Sequence, residues 1–138
     1  MGGWGLTSYL LDTHTWAWAI KYDSQLPQRV AQRILDADTI EVSAISFYEI
    51  AQKVTLGKWP DMEAHADNLA QILSDQGGQL VMIDAAVAQL AGLLEWNHRD
   101  PFDRMLAATS IIRNVPILSA DKVFDALSDR KDWPGRIW

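Results

Sequence analysis

Four acidic residues occupy positions from which they could act together: Asp12, Glu49, Asp103 and Asp121. Asp12 closes a short apolar run at residues 8–12. Glu49 lies in the first turn of a helix expected to leave a second such run. Asp121 lies two residues beyond another, at 115–119. Asp103 opens a helix that leads into that last run, so the helix must lie antiparallel to the strand and its start falls at the strand's carboxyl edge. All four carboxylates are therefore expected on one rim. Like charges gathered this way repel and raise one another's pKa values, which is tolerable where they hold a hard cation. Mg²⁺ or Mn²⁺ takes oxygen ligands, keeps several waters and commonly joins carboxylates to a substrate phosphate. The chemistry in outline is metal-assisted phosphoryl transfer.

Each acid also has a plainer reading. Ser46-Phe47-Tyr48-Glu49 has the S-x-x-E form of a capping box. Asp100-Pro101 reads as N-cap and first helical residue, with Asp103 in the favourable first turn. Asp12 suits the cap of the helix after it, and Asp121 suits a turn. The coincidence of all four at one edge favours a site, and a cap can also serve as a ligand.

The elements that would position these acids alternate between strand and helix. Strands are expected at 8–12, 39–44, 79–83 and 115–119, with an edge strand at 136–138. Helices are expected at 13–21, 27–37, 46–56, 62–76, 84–97 and 101–113, with a short one at 122–127. Strands joined through helices run mostly parallel, because only long crossovers reconnect parallel strands. The expected fold is a three-layer α/β/α sandwich around a mostly parallel sheet of four to five strands. In such sheets the functional crevice lies beyond the strands' carboxyl ends.

The chain has 138 residues, which suits one domain over 1–138 with a flexible segment at 1–7. It has no cysteine, which excludes a disulfide scaffold or thiolate zinc site and fits a reducing, cytoplasmic setting. No apolar run approaches the roughly 20 residues of a membrane span. Met1 to Leu6 lacks the features of a secretory signal. The net charge of −6 excludes a protein that coats nucleic acid by charge alone. It does not exclude a nuclease, whose bound cations offset its acids locally.

The segments LLDTHTWAW, SAISFYEIAQKVTLGKW, HRDPFDRMLAATS and ILSADKVF, in this order and spacing, resemble PIN-domain proteins. Within that family the chain is most similar to the VapC-type toxins of prokaryotic toxin–antitoxin pairs. The resemblance implies an Mg²⁺- or Mn²⁺-dependent ribonuclease leaving 3′-hydroxyl and 5′-phosphate ends. It also implies a homodimer and an inhibitory antitoxin protein that inserts near the active site. By motif, Asp12, Glu49, Asp103 and Asp121 correspond to the four family acids, and Ser119 would orient a carboxylate. His14 stands where many members carry Ser or Thr, leaving Thr13 as an alternative hydroxyl. Asp100 is an extra acid, read mainly as an N-cap and otherwise as part of the metal site.

Lys53, Lys58, Arg99 and Arg104 lie near the acidic segments, either as RNA-phosphate contacts or as an ordinary solvated face. His65 and His98 offer no metal-ligand spacing with one another. The seven tryptophans serve mostly in packing, and one left exposed would anchor a dimer or antitoxin interface. Two other functions compete. A catalytically silent PIN scaffold would bind RNA or a partner protein, but all four acids are kept. A phosphatase with an Asp-x-Asp nucleophile would need an acid where His14 stands, and no phosphate-binding G-x-x-x-x-G-K-[ST] loop is present.

Overall fold

A computed structural model describes residues 6–138. The expected flexible segment at 1–7 thus falls mostly outside the described residues. Within them, Thr7 is tied to the next strand: its amide donates to Asp38 Oδ2 at 2.6 Å, and its carbonyl accepts from the Asp38 and Thr39 amides.

The strands are β1 (Ser8–Leu11), β2 (Thr39–Ser43), β3 (Gln79–Val81), β4 (Ile117–Leu118) and β5 (Arg136–Ile137). The helices are α1 (Thr13–Lys21), α2 (Gln28–Asp36), α3 (Ala44–Thr55), α4 (Leu69–Asp75), α5 (Ala85–Leu93) and α6 (Pro101–Arg113). Short 3₁₀ turns lie at Pro60–Met62 and Lys122–Leu127. The sheet order is β3-β2-β1-β4-β5 and every pair is parallel, as expected for a doubly wound α/β chain.

The chain steps from β1 outward to β2 and β3, then returns to place β4 on the other side of β1. Right-handed crossovers therefore put the two sets of helices on opposite faces. One core gathers Tyr9, Leu11, Ile40, Val42 and Leu118 from the strands with Trp16, Val30, Ile50, Leu69 and Leu73. The other gathers Leu10 and Ile117 with Leu94, Leu106, Ala107, Ile111 and Phe124. Adjacent residues of β1 and β4 thus enter opposite cores, as strands covered on both faces must. Trp16 is fully buried in the first core; its indole N–H donates to Gln76 Oε1 at 2.8 Å, satisfying its one polar atom.

Two expectations need correction. The helix expected at 46–56 begins at Ala44, with Ser43 as its cap accepting from the Ile45 amide. The Ser46–Glu49 capping box therefore does not form. Ser46 instead turns inward and shares a 2.9 Å hydrogen bond with the Thr13 hydroxyl. The helix expected at 62–76 is divided, with turns between Met62 and Leu69. Residues 63–68 carry no large apolar side chain to dock on the core, and helical turns without such packing are marginal. Met62, Leu69 and Leu73 are the residues anchored there. Gly77, at φ +70°, supplies the left-handed residue that ends α4.

Glu41 breaks the apolar pattern of β2. It is buried on a central strand, and Arg113 Nε at the end of α6 donates to its carboxylate. Removing one partner of a buried pair leaves an uncompensated charge. Arg113→Met should therefore destabilise the protein by about 2 kcal/mol, less than the roughly 3–5 kcal/mol of a fully buried pair because Arg113 is exposed. Adding Glu41→Met should recover most of that loss. Urea denaturation of the two single variants and the double variant checks it, and additive losses would contradict the pairing.

Candidate functional site

The sheet's direction of growth reverses between β1 and β4, and a crevice opens beyond the carboxyl ends of strands at such a switch point. Asp12 follows β1 directly, and Asp121 follows β4 after Ser119 and Ala120. A cleft of about 340 Å³ opens there, lined by Asp12, Glu49, Asp103 and Asp121 together with Asp100, Thr13, His14, Trp18 and Lys53. All four acids singled out from the sequence thus line one cleft.

Asp12 is the most constrained of them. Its Oδ1 accepts from the Thr15 amide at 2.8 Å, capping α1, and its Oδ2 accepts from the Ser119 hydroxyl. The Asp12 amide donates to Leu118 O at 3.1 Å, and the Thr15 hydroxyl reaches the same carbonyl at 3.1 Å. Burial pushes the Asp12 carboxyl above its ordinary pKa, against these hydrogen bonds. Each carboxylate oxygen has a second lone pair beyond the one used here.

Glu49 lies in the second turn of α3, where an N-cap role is impossible. It is buried, and Lys53 one turn later donates to its Oε2. The plainer capping explanation therefore does not apply to Glu49. Asp121 is exposed; its Oδ1 accepts from the Val123 amide at 3.0 Å, starting the 3₁₀ turn. Its own amide donates to Ser119 Oγ at 3.0 Å, so one hydroxyl ties Asp12 to Asp121. Asp100 is the N-cap of α6, accepting from the Phe102 and Asp103 amides at 2.8 and 3.4 Å, and it lines the cleft as well.

Asp103 is perturbed as well. Burial first, then the charges of Asp100 and Asp121, push its pKa to about 6, although a contact with His98 opposes the rise. His98 Nε2 lies 2.6 Å from Asp103 Oδ2. His98, Asp100 and Asp103 each offer a ligand atom, and these lie within 4.8 Å of one another. Among the described residues no other three His or acidic side chains converge so tightly. The donor set is mostly carboxylate oxygen with one imidazole, which suits Mg²⁺ or Mn²⁺ rather than a thiophilic metal. The cost of ionising Asp103 and Asp12 in the bare protein is what a bound cation would relieve.

His98 was not legible as a site residue when compared only with His65. The usable signal was local: it stands two residues before the N-cap Asp100 and five before Asp103. The four basic residues fare differently. Lys53 lines the cleft but is paired with Glu49. Lys58 and Arg99 are exposed and do not line the cleft. Arg104 requires correction as an RNA contact. Its Nε donates to Ala91 O, its Nη1 to Trp96 and His98 O, and its Nη2 to Gly92 and Leu94 O. A guanidinium has five N–H groups, and all five are engaged. Arg104 closes the end of α5 and holds the backbone of His98.

The raised pKa of Asp103 has a stability consequence. A carboxyl whose folded pKa exceeds its unfolded value favours the fold while protonated, and that advantage is lost as pH rises through the folded value. Asp103→Asn removes the cost of ionisation. Without metal, the variant should therefore gain on the wild type between about pH 4 and 6.5, by about 3 kcal/mol at the upper end. Thermal unfolding of both proteins in chelator across this range checks it; a constant difference would show that Asp103 is not perturbed.

The PIN domain family matches residues 9–129. No curated protein matches the chain in sequence. Among solved structures, the fold is similar to VapBC2 from Rickettsia felis, bound to a DNA fragment from their promoter. That match has a TM-score of 0.64 at 18% identity, covering 96% of this chain and 99% of that chain. It is also similar to VapBC-5 from Mycobacterium tuberculosis, of the VapBC family of toxin–antitoxin systems (TM-score 0.64, 22% identity, 95% and 99% coverage). FitAcB from Neisseria gonorrhoeae has a TM-score of 0.63 at 20% identity, with 87% and 93% coverage. Identities this low establish likeness of fold, and the family match extends over nearly the whole sequence: the chain belongs to the PIN-domain family.

Proposed function

We propose that this PIN domain is a divalent-cation-dependent endoribonuclease and the toxin of a toxin–antitoxin pair. The observation that carries the reading is the convergence of Asp12, Glu49, Asp103 and Asp121 on one cleft at the switch point of the sheet. Asp12, Glu49, Asp103 and Asp121 would hold Mg²⁺ or Mn²⁺, with Asp100 and His98 beside them. When bound, such a cation supplies a Lewis acid at the scissile phosphate and a water acidic enough to attack it near neutral pH.

The protein's own groups prepare the site. Ser119 and the Thr15 amide fix both oxygens of Asp12, so its free lone pairs point in set directions. The Thr13–Ser46 hydrogen bond joins the start of α1 to α3 and sets the spacing of Asp12 and Glu49. Lys53 stands at the cleft wall, where a substrate phosphate could share it with Glu49. His98 Nε2 is hydrogen-bonded to Asp103 Oδ2 and fixes that carboxylate at the α6 side of the cleft.

The toxin reading draws support from the similar structures, which include the VapBC family member from Mycobacterium tuberculosis and a toxin–antitoxin complex from Klebsiella pneumoniae. An acidic cleft would be blocked most directly by an Arg or Lys from the inhibitor. A homodimer and a cytoplasmic site of action belong to the same reading. Among the described residues no helix is long and apolar enough to cross a membrane.

RNA cleavage should require Mn²⁺ or Mg²⁺ and stop in excess EDTA; undiminished cleavage in chelator would sink the mechanism. Asp103→Asn and Glu49→Gln should stay folded yet lose at least about 100-fold in cleavage, beyond the 10–100-fold typical of outer-shell changes. Their gain in melting temperature on adding Mn²⁺ should shrink too. Asp84→Asn is the comparison, because Asp84 only caps α5, accepting from the Val87 amide at 2.9 Å. RNA binding without cleavage in the wild type would indicate the silent scaffold instead.

The partner is tested separately. A small protein encoded beside this chain should co-purify with it and suppress cleavage. A neighbour that does neither would remove the antitoxin context while leaving the nuclease.

A further inference from the structure

The cleft has a second chemistry along one side. His14 and Trp18, one turn apart on α1, line it directly. The His14 ring lies 4.9 Å from that of Trp59 at 31° between planes, and 6.1 Å from Trp18. Trp18 lies 6.0 Å from Trp138, and Lys53 Nζ stands 5.6 Å from the centre of the Trp59 ring. His14 is exposed, and Trp18, Trp59 and Trp138 are each half-buried. Trp59 and Trp138 lean on the first core, whereas Trp18 belongs to none of the apolar clusters among the described residues. Packing thus accounts for Trp16 and leaves Trp18 unexplained.

Charge makes this rim informative. The cleft presents five carboxylates, its one lysine is paired with Glu49, and the chain as a whole carries −6. A cation can hold the phosphate being cut, but nucleotides seated in the cleft beside it meet the remaining carboxylates. A source of affinity other than phosphate charge is needed within the cleft itself. Unpaired bases supply one, since aromatic rings stack on any base without needing a positive groove.

We propose that His14 and Trp18, backed by Trp59 and Trp138, form a stacking platform for unpaired bases beside the phosphate in the cleft. The enzyme then selects single-stranded RNA by its bases. The inference rests on the nuclease reading. It favours RNA over a protein partner because the rim is continuous with the carboxylate cleft and shares Lys53 with it.

The test is cleavage of a fluorescent single-stranded RNA oligonucleotide in Mn²⁺, with three unlabelled competitors of equal length: the same sequence, an abasic ribose-phosphate strand, and a duplex. For the wild type, the base-containing strand should compete about tenfold or more better than the abasic strand or the duplex, given the strength of base–aromatic stacking. Trp18→Leu and His14→Ala should erase that preference, raising KM far more than they lower kcat. Trp18→Leu should melt near the wild type, because Trp18 is in neither core. Wild-type cleavage with equal competition by all three strands overturns the platform and leaves the nuclease standing. A wild type that neither cleaves nor binds RNA overturns both. Variants that keep the preference for bases but lose a co-expressed protein partner overturn the RNA assignment and make the rim a protein interface.

Discussion

Asp12 sits where β1 ends, α1 begins and β4 passes alongside, and the carboxylate is almost wholly removed from water. Charge in that position is costly unless hydrogen bonds stabilise it. The Thr15 amide and the Ser119 hydroxyl do so, from α1 and from the end of β4. The Asp12 amide and the Thr15 hydroxyl meanwhile share Leu118 O, so the two central strands and the first helix are fixed by the residues that fix the carboxylate. Ser119 extends the link to the Asp121 amide. Disturbing Asp12 would disturb the junction that places the rest of the cleft.

The other side of the cleft depends on α6, and α6 depends on Arg104. Helix α5 ends with no basic residue in its last turn, and its cap, Leu94, is not a left-handed residue. Its terminal carbonyls need outside donors. Arg104 supplies them across the α5–α6 interface and, through His98 O, positions the loop carrying His98 and Asp100. Fold stability and site geometry share one guanidinium there.

The sheet was legible in the sequence because its signal is short apolar runs separated by helical patterns, and each strand from residues 8–12 to 136–138 forms close to where it was expected. The acids were legible for a topological reason: residues that follow parallel strands fall at one edge. Helix starts were less legible where two caps compete. Ser43 and Ser46 both precede helical residues; the helix begins at the earlier serine, which accepts from the Ile45 amide, while Ser46 turns inward to hydrogen-bond with Thr13. Long-range partners were not legible at all. Nothing local in Arg104 separates it from the exposed Arg99 five residues before it. Glu41 likewise is only a polar residue within an apolar strand until Arg113 is found beside it.

Capping and metal binding are usually rival explanations for an acid at a helix start, but in this fold one arrangement would serve both. In a parallel α/β sheet, a helix that follows a strand begins at the carboxyl edge, and a helix that leads into a strand, as α6 does, begins there too. Asp12, Asp100 and Asp121 cap three separate segments at that edge. Helix starts carry partial positive charge and free amides, which favour carboxylates. The N-termini of α1 and α6 therefore offset part of the repulsion among the acids in the protein alone. The offset is incomplete at Asp103, where burial and two neighbouring carboxylates still hold the pKa near 6. Local helix chemistry can gather the acids, and the residual cost of ionising them, from burial first and then repulsion, is what a bound cation would relieve.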